Sequence, residues 1–282
     1  MAPQSTPQLF QLTANEGYWG GRPFVDKIQI ATGKSIRDQW LDLSLGRADM
    51  VEVPVEDLRQ AQQQRLTIVE SPSVELLALQ VRDTGALASP MLRASIAEAV
   101  DRSALFNVIF QKQGEITASL LPQELTGYSF LFPTDRDLNK AHELRGGLAC
   151  PPLTLSYEGD GAMQLAAQRL ALNLHEAGFD VQAVALRAPQ HGDLVLRRLP
   201  LIGADPAAAM EILLRAAGEQ VSVVGRRPEA LYRAEHDFLA RGTLVPLLDL
   251  PRAYAVGPRV RGFALLKDGT PDLASASIED AP

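Results

Sequence analysis

The sequence has few of the side chains that most often carry chemistry in a protein. Cys150 is the only cysteine in 282 residues, so an internal disulfide is excluded, and no base stands near it at a recognisable spacing. The four histidines are scattered, and none begins the two-histidine pattern of a zinc-binding helix: His142, His175, His191 and His236. No run approaches the roughly 18 apolar residues of a membrane-spanning helix. We therefore expect neither a metal site nor insertion into a membrane.

Positive charge is also in short supply. The chain has 27 Lys and Arg against 34 Asp and Glu, which gives a net charge of −7 and an estimated pI of 5.2. No basic run and no basic patch with interleaved aromatics is present, so nucleic acid is not expected as a partner. With 46% hydrophobic and 22% charged residues, the composition is that of a globular protein with one large or two moderate domains.

Phosphate-binding and hydrolytic motifs are incomplete or missing. Gly159-Asp160-Gly161 lacks the third glycine of a dinucleotide-binding loop, and Gly33-Lys34-Ser35 lacks the first glycine of a nucleotide-binding loop. A tight turn and a helix entry, respectively, explain these two segments. No G-x-S-x-G elbow occurs. The sequence therefore predicts no catalytic residues and no cofactor.

What the sequence does contain is a clear α/β pattern. Residues 153–157 alternate as a strand, residues 162–177 have helical spacing, Gly178 ends that helix, and residues 179–186 alternate again. This βαβ unit predicts parallel strands in an α/β sheet.

A pair of amphipathic helices precedes this unit, in residues 89–122. Leu92, Ile96, Ala99 and Val100 share one helical face, and Asp101 is positioned to cap a second helix. The second helix is predicted to carry an apolar face through residues 105–110 and to end at Gly114.

Further short sequence motifs follow one another along nearly the whole chain. They resemble the peptide/nickel-binding family of extracytoplasmic solute-binding proteins, family 5, which are the receptors of ABC importers. The matching segments are Tyr18-Trp19-Gly20-Gly21 within residues 13–28, Leu43 to Asp49 followed by Val53-Pro54, Arg93 to Arg102, Gly114 to Tyr128, Asp137 to Leu144, and Leu244 to Phe263.

The resemblance implies an α/β fold with two lobes, of the periplasmic-binding-protein type II, and a solute held in the cleft between them. The first lobe would contain residues 1–80 and 246–282, and the second residues 81–245. The implied function is binding of an oligopeptide-like or other small polar ligand, without catalysis. The implied partner is the membrane permease of an ABC transporter, and the full-length parent is expected to be a periplasmic or extracytoplasmic monomer.

Two departures from the family qualify this expectation. Family members carry a long segment ahead of the Tyr-Trp-Gly-Gly element, so the first lobe is expected to be truncated here. The first eight residues also have no basic or apolar region of an export signal. Two alternatives therefore stay open: a ligand-sensing module of a cytoplasmic regulator, and an α/β enzyme without a recognisable motif.

Four residues are candidates for contact with the ligand. Arg197 and Arg198 lie in a short predicted strand, where one guanidinium could hold a carboxylate. The alternative is a surface arginine beside a partly buried one. Asp205 and Tyr254, which lie in segments of the resemblance, complete the set.

Peptides with a free N-terminus are predicted to stabilise the protein only slightly. Peptide-binding family members place an aspartate four residues before a proline, where it pairs with the α-amino group, whereas Ile202 stands four residues before Pro206 here. A buried ammonium without its carboxylate is strongly unfavourable. Thermal-shift screening with di- to pentapeptides should therefore show little change, and a rise of several degrees would contradict the prediction.

Overall fold

The computed structural model describes residues 8–128, 131–159, 161–186, 192–203, 205–219 and 225–279. Asp160 and His191, which were considered above, lie outside these residues. The strands are β1 (Gln8–Thr13), β2 (Lys27–Thr32), β3 (Met50–Val53), β4 (Thr67–Val81), β5 (Glu115–Ile116), β6 (Leu153–Tyr157), β7 (Val181–Ala185), β8 (Leu194–Pro200), β9 (Leu244–Val256), β10 (Val260–Arg261), β11 (Ala264–Leu265), β12 (Pro271–Asp272) and β13 (Ser277–Ile278). The α-helices are α1 (Ile36–Ser44), α2 (Leu58–Gln63), α3 (Pro90–Ala99), α4 (Arg102–Ala104), α5 (Gln123–Thr126), α6 (Leu138–Arg145), α7 (Ala162–Glu176), α8 (Pro206–Ala216) and α9 (Pro228–Leu239).

The chain divides into two compact units. The first unit is Met1–Pro72 with Arg252–Pro282, and the second is Ser73–Pro251. The chain therefore passes from one unit to the other within β4 and again within β9. Residues 80 and 245, the lobe boundaries expected from the sequence, lie in the same two strands.

The sheet of the second unit mixes parallel and antiparallel strands. β6 pairs in parallel with both β7 and β8, whereas β4 pairs with β8 in antiparallel fashion. The predicted βαβ unit is confirmed as β6–α7–β7, because α7 buries its apolar stripe while its two strands run in parallel. In the first unit, β3 pairs antiparallel with the last residues of β9, and β1 pairs only with β2 among the described residues.

Residues 67–70 and 74–81 have strand-like sequences on either side of Ser71-Pro72-Ser73, which predicts two separate strands. That prediction is wrong, because β4 is continuous. A proline removes one backbone donor from a strand. Here the Ser71 hydroxyl, next to Pro72, accepts a hydrogen bond from the Arg252 backbone N–H at 2.9 Å and donates to the Pro72 carbonyl at 2.7 Å. This side-chain contact carries the strand through the expected break. The sequence also predicts two extended segments, residues 244–250 and 253–256, whereas β9 runs unbroken through both.

The second of the two helices predicted in residues 89–122 also differs from its prediction. Asp101 caps it as expected, with its carboxylate accepting from the Ala104 N–H at 2.8 Å. After α4, however, the chain forms a π-helical turn over Leu105–Ile109. An i→i+5 turn brings residues five apart onto one side, and this lets Leu105 and Phe110 both be fully buried. Gly114 is required because a Cβ there would lie 2.3 Å from the Asp249 carbonyl oxygen.

Two buried arginines connect α3 and α4 to residues 241–246, at the start of β9. Arg93 donates to the carbonyls of Arg241, at 2.6 Å, and of Leu87, at 2.7 Å. Arg102, only 5% exposed, donates to the Pro246 carbonyl at 2.8 Å. Burial lowers the pKa of Arg102 to about 10, so the guanidinium remains charged at neutral pH. These motif arginines therefore satisfy backbone groups and contribute to stability.

The second unit also buries two carboxyl groups. Glu235 has no exposed surface, and the Tyr128 hydroxyl donates to it at 2.6 Å. Asp249, 3% exposed, lies near the Thr117 side chain, and its Oδ1 has no hydrogen-bond partner among the described residues. Burial raises the pKa of Glu235 and raises that of Asp249 well above its ordinary value. The charges of Glu115, Glu124 and Glu235 raise the Asp249 pKa further.

Replacing Arg102 by methionine should destabilise the second unit. The Arg102→Met variant keeps much of the apolar stem but leaves the buried Pro246 carbonyl without its charged donor. We expect the free energy of unfolding to fall by about 2–4 kcal/mol, measured by urea unfolding followed by circular dichroism. The control Arg233→Met changes an exposed arginine of α9 and should stay within about 0.5 kcal/mol of the unmodified chain. Equal effects of both variants would contradict the anchoring role.

Replacing Asp249 by asparagine should change how stability depends on pH. An aspartate whose folded pKa is raised contributes its full stability below the unfolded pKa of about 3.9. That contribution is lost as the pH rises through the folded pKa. The asparagine of the Asp249→Asn variant cannot ionise. The free energy of unfolding of the variant, minus that of the unmodified chain, should therefore increase from pH 4 to pH 8. We expect an increase of about 1–3 kcal/mol, which is the cost of an unsatisfied buried group.

Urea unfolding across this pH range measures the difference. Asp83→Asn, at an exposed position of the same unit, is the matched control and should show no comparable trend. A constant difference between Asp249→Asn and the unmodified chain at all pH values would refute the burial argument.

Candidate functional site

Arg197 and Arg198 lie side by side on β8 and point to opposite faces of the sheet, because successive residues of a strand alternate. Arg197 Nη1 donates to the Gln80 side-chain oxygen at 3.2 Å, and Gln80 Nε2 donates to the Ala217 carbonyl at 2.7 Å. Gln80 therefore holds the Arg197 guanidinium in one orientation and is itself held by the carbonyl that follows α8. A partly exposed, oriented guanidinium can form a bidentate pair with a carboxylate.

Arg198 has a different environment on the other face. Its Nη1 lies 3.8 Å from a carboxylate oxygen of Glu75, and both side chains are partly buried. The expected contrast between a surface arginine and a partly buried one is therefore absent, since Arg197 and Arg198 are both partly buried. What distinguishes them is the partner: a neutral amide for Arg197 and a carboxylate for Arg198.

Asp205 stabilises the N-terminus of α8. It is the N-cap of α8, and its carboxylate accepts from the Ala208 N–H at 2.9 Å. Its other oxygen lies 3.8 Å from Arg226 Nε, a weakly held pair at the surface. Capping of this kind contributes about 1 kcal/mol, so the carboxylate is already engaged before any ligand arrives.

Tyr254 belongs to the first unit, apart from the other three candidates. It stands opposite Glu52 in the pairing of β9 with β3. Its ring meets that of Phe263 edge to face, with 5.9 Å between centroids. Burial, followed by the charge of Glu52, raises the pKa of its hydroxyl. The structure thus places three candidates on neighbouring elements of the second unit and the fourth in the first unit.

An aromatic array around Glu235 was not predicted from the sequence. The Tyr128 and Tyr232 rings meet edge to face at 5.3 Å, and Phe132 stacks on His236 at 5.2 Å. Glu235 accepts hydrogen bonds from the Tyr128 hydroxyl and from the Leu120 backbone N–H. One signal was available: Glu235 falls on the apolar face of α9, four residues after Leu231 and three before Phe238, where a carboxylate is unusual.

Neither a metal site nor a spanning helix emerges from the described part of the chain. Within it, no three His, Cys, Asp or Glu side chains are grouped closely enough to hold an ion. None of its helices combines the length and apolar character needed to cross a bilayer.

Comparison with known proteins identifies the relatives of this arrangement. The family model of the bacterial extracellular solute-binding proteins, family 5 (middle), matches residues 4–198. The peptide transport periplasmic protein SapA of Salmonella typhimurium is 25% identical over 125 residues, which are 43% of this chain and 23% of SapA.

Two solved structures illustrate the similarity of fold. The oligopeptide-binding protein AppA of Bacillus subtilis, in complex with a nonapeptide, has a TM-score of 0.74 at 14% identity, covering 97% of this chain and 64% of AppA. NikA of Staphylococcus aureus, in complex with Ni(L-His)2, has a TM-score of 0.75 at 14% identity, covering 96% of this chain and 66% of NikA. The chain thus spans less than two thirds of the length of each relative.

At these identities the solved structures establish the fold alone, an α/β fold of the periplasmic-binding-protein type II. The family assignment comes from the sequence model, which matches more than half of the 282 residues. This chain therefore belongs to family 5 of the bacterial extracellular solute-binding proteins.

Proposed function

We propose that this chain is the solute-binding part of a receptor that delivers a ligand to the membrane permease of an ABC importer. The observation that carries the proposal is the match of the family model over residues 4–198. The fold supports it, since nearly the whole chain superposes on solute-binding proteins with bound ligands. The family consists of binding proteins, which disfavours the alternative of an enzyme. The family is one of extracellular proteins and SapA is a periplasmic protein, which supports an extracytoplasmic place of action.

The ligand we propose is a small polar or peptide-like solute that carries an anionic group. Arg197 is the main candidate contact, because Gln80 orients its guanidinium and its side chain is partly exposed. A guanidinium held in place loses little entropy when it pairs with a carboxylate. Arg198, on the opposite face of β8, is proposed as an alternative to Arg197 rather than as a second contact of the same solute, and Tyr254 stays a candidate from the sequence. Asp205 is proposed to act mainly through the position of α8, because its carboxylate caps that helix.

The solved relatives support a broad ligand class rather than a single compound. One was solved with a nonapeptide and the other with a nickel–histidine complex. These ligands differ in size and in chemical type, so the shared fold accommodates both. We therefore assign the choice of ligand to side chains such as Arg197, whose chemistry is read from this chain itself.

Native mass spectrometry of the protein purified from its host tests the proposal. We expect a species heavier than the chain by the mass of one bound solute, released on denaturation. Arg197→Ala should lose most of this species, because a carboxylate loses its charged partner, whereas Arg233→Ala at the exposed face of α9 should retain it. A bare mass, together with no thermal stabilisation by a panel of peptides, sugars and nickel chelates, would count against the receptor function.

A further inference from the structure

The strap, residues 114–121 of the second unit, is attached to β9 by a short strand pairing. β5 contains two residues, and its antiparallel pairing with β9 puts Glu115 directly opposite Asp249. Just beyond β5, the Thr117 N–H donates to the Leu247 carbonyl at 3.2 Å. Segments that are held by few backbone bonds open locally at a lower free energy than the whole fold. Conditions at this pairing therefore decide whether the strap stays on β9.

The turn that leads into the strap has a strained backbone. Gln111 and Lys112 are consecutive non-glycine residues with positive φ angles, 52° and 67°. A left-handed conformation costs an L-residue about 1–2 kcal/mol. The turn delivers Gly114 to a position where its backbone lies against the Asp249 carbonyl. The cost of the turn is relieved when the strap leaves β9, so the strain favours release.

The side chain of Asp249 is enclosed without compensation for a negative charge. It is 3% exposed, and its Oδ1 has no hydrogen-bond partner among the described residues. The charged groups that act on it within this part of the chain are all acidic, namely Glu115 of β5, Glu124 of α5 and Glu235 of α9. The Arg102 guanidinium, which also contacts β9, is occupied by a backbone carbonyl. Because a buried charge without a partner is strongly unfavourable, this environment suits the neutral carboxyl.

Ionisation of Asp249 opposes the pairing of β5 with β9. Burial raises the pKa of Asp249 well above its ordinary value, and the nearby Thr117 side chain offsets this only in part. A raised folded pKa means that the stabilising contribution is complete below the unfolded pKa of about 3.9 and is lost as the pH rises through the folded pKa. The ionised carboxylate also stands opposite Glu115, and like charges directly opposite destabilise a strand pair. Rising pH therefore weakens the hold of β9 on the strap.

We propose that the strap is a pH-dependent element, which is bound to β9 while Asp249 is neutral and leaves β9 when Asp249 ionises. Protonation of a buried group can bias an element that has two arrangements. The strained turn supplies a drive for release, and the neutral carboxyl permits the bound arrangement. Release frees the backbone groups of β9 at residues 247–249 and relaxes the turn at Gln111 and Lys112.

Hydrogen exchange followed by mass spectrometry tests the proposal on the full chain. Protection factors, which are measured relative to the intrinsic exchange rate at each pH, remove the pH dependence of the exchange chemistry itself. The protection factor of the fragment with residues 115–117 should fall about tenfold or more between pH 5 and pH 8, which corresponds to about 1.4 kcal/mol. The protection of α7, the reference within the same unit, should stay unchanged. Constant protection of residues 115–117 would overturn the proposal.

Replacing Asp249 by asparagine locates the titrating group. Asp249→Asn should abolish the fall in protection of residues 115–117, because an amide does not ionise in this range. The matched control Asp83→Asn, at an exposed position of the second unit, should retain the fall. If Asp249→Asn retains it as well, the dependence comes from another group and the proposal is wrong.

Replacing Lys112 by glycine tests the strain without changing Asp249. Glycine adopts a positive φ without steric cost, so Lys112→Gly should hold the strap more tightly. We expect the protection of residues 115–117 to rise roughly fivefold at pH 5 and at pH 8, which corresponds to about 1 kcal/mol. Lys112→Ala removes the same charge but keeps the steric cost, and it should leave the protection unchanged. Equal protection in the two variants would contradict a turn that favours release.

Discussion

The buried guanidinium of Arg102 is the contact on which the rest of the second unit depends. It joins the opening helices to the Pro246 carbonyl, 144 residues away, while Arg93 reaches the Arg241 carbonyl just ahead of the same strand. A charged donor aimed at a buried carbonyl tolerates little displacement, since an unsatisfied group costs more than the bond contributes. These two arginines therefore position β9, and the last residues of β9 pair with β3 in the first unit.

Some polar side chains of the second unit are hydrogen-bonded to backbone groups, and others are partly exposed. Arg93 and Arg102 are buried and occupied by backbone carbonyls, and Asp205 is occupied by the first turn of α8. Arg197 is partly exposed and is held by one neutral amide. This difference in burial and partner makes Arg197 the strongest candidate contact. AppA and NikA, which share this fold, were solved with different ligands, a nonapeptide and a nickel–histidine complex.

The two units differ in how completely they bury their apolar side chains. The second unit covers α7, α8 and α9 along their apolar faces and even encloses Glu235 and Asp249. The first unit leaves Phe10, Leu12, Trp19 and Phe24 exposed. Apolar surface of this extent is stabilised only when another layer covers it. These exposed side chains belong to β1, β2 and the connection between them.

Sequence by itself determined the elements whose signals are local. The apolar stripe of α3, the Asp101 cap and the β6–α7–β7 unit follow from spacing and turn chemistry, and the ordered motifs indicated the family. Only the tertiary structure decided the continuity of β4, which rests on a Ser71–Arg252 bond between residues 181 positions apart. It alone also decided the π turn that buries Leu105 with Phe110 and the enclosure of Asp249. Burial and distant contacts leave no periodic trace in a sequence, because they depend on which elements meet.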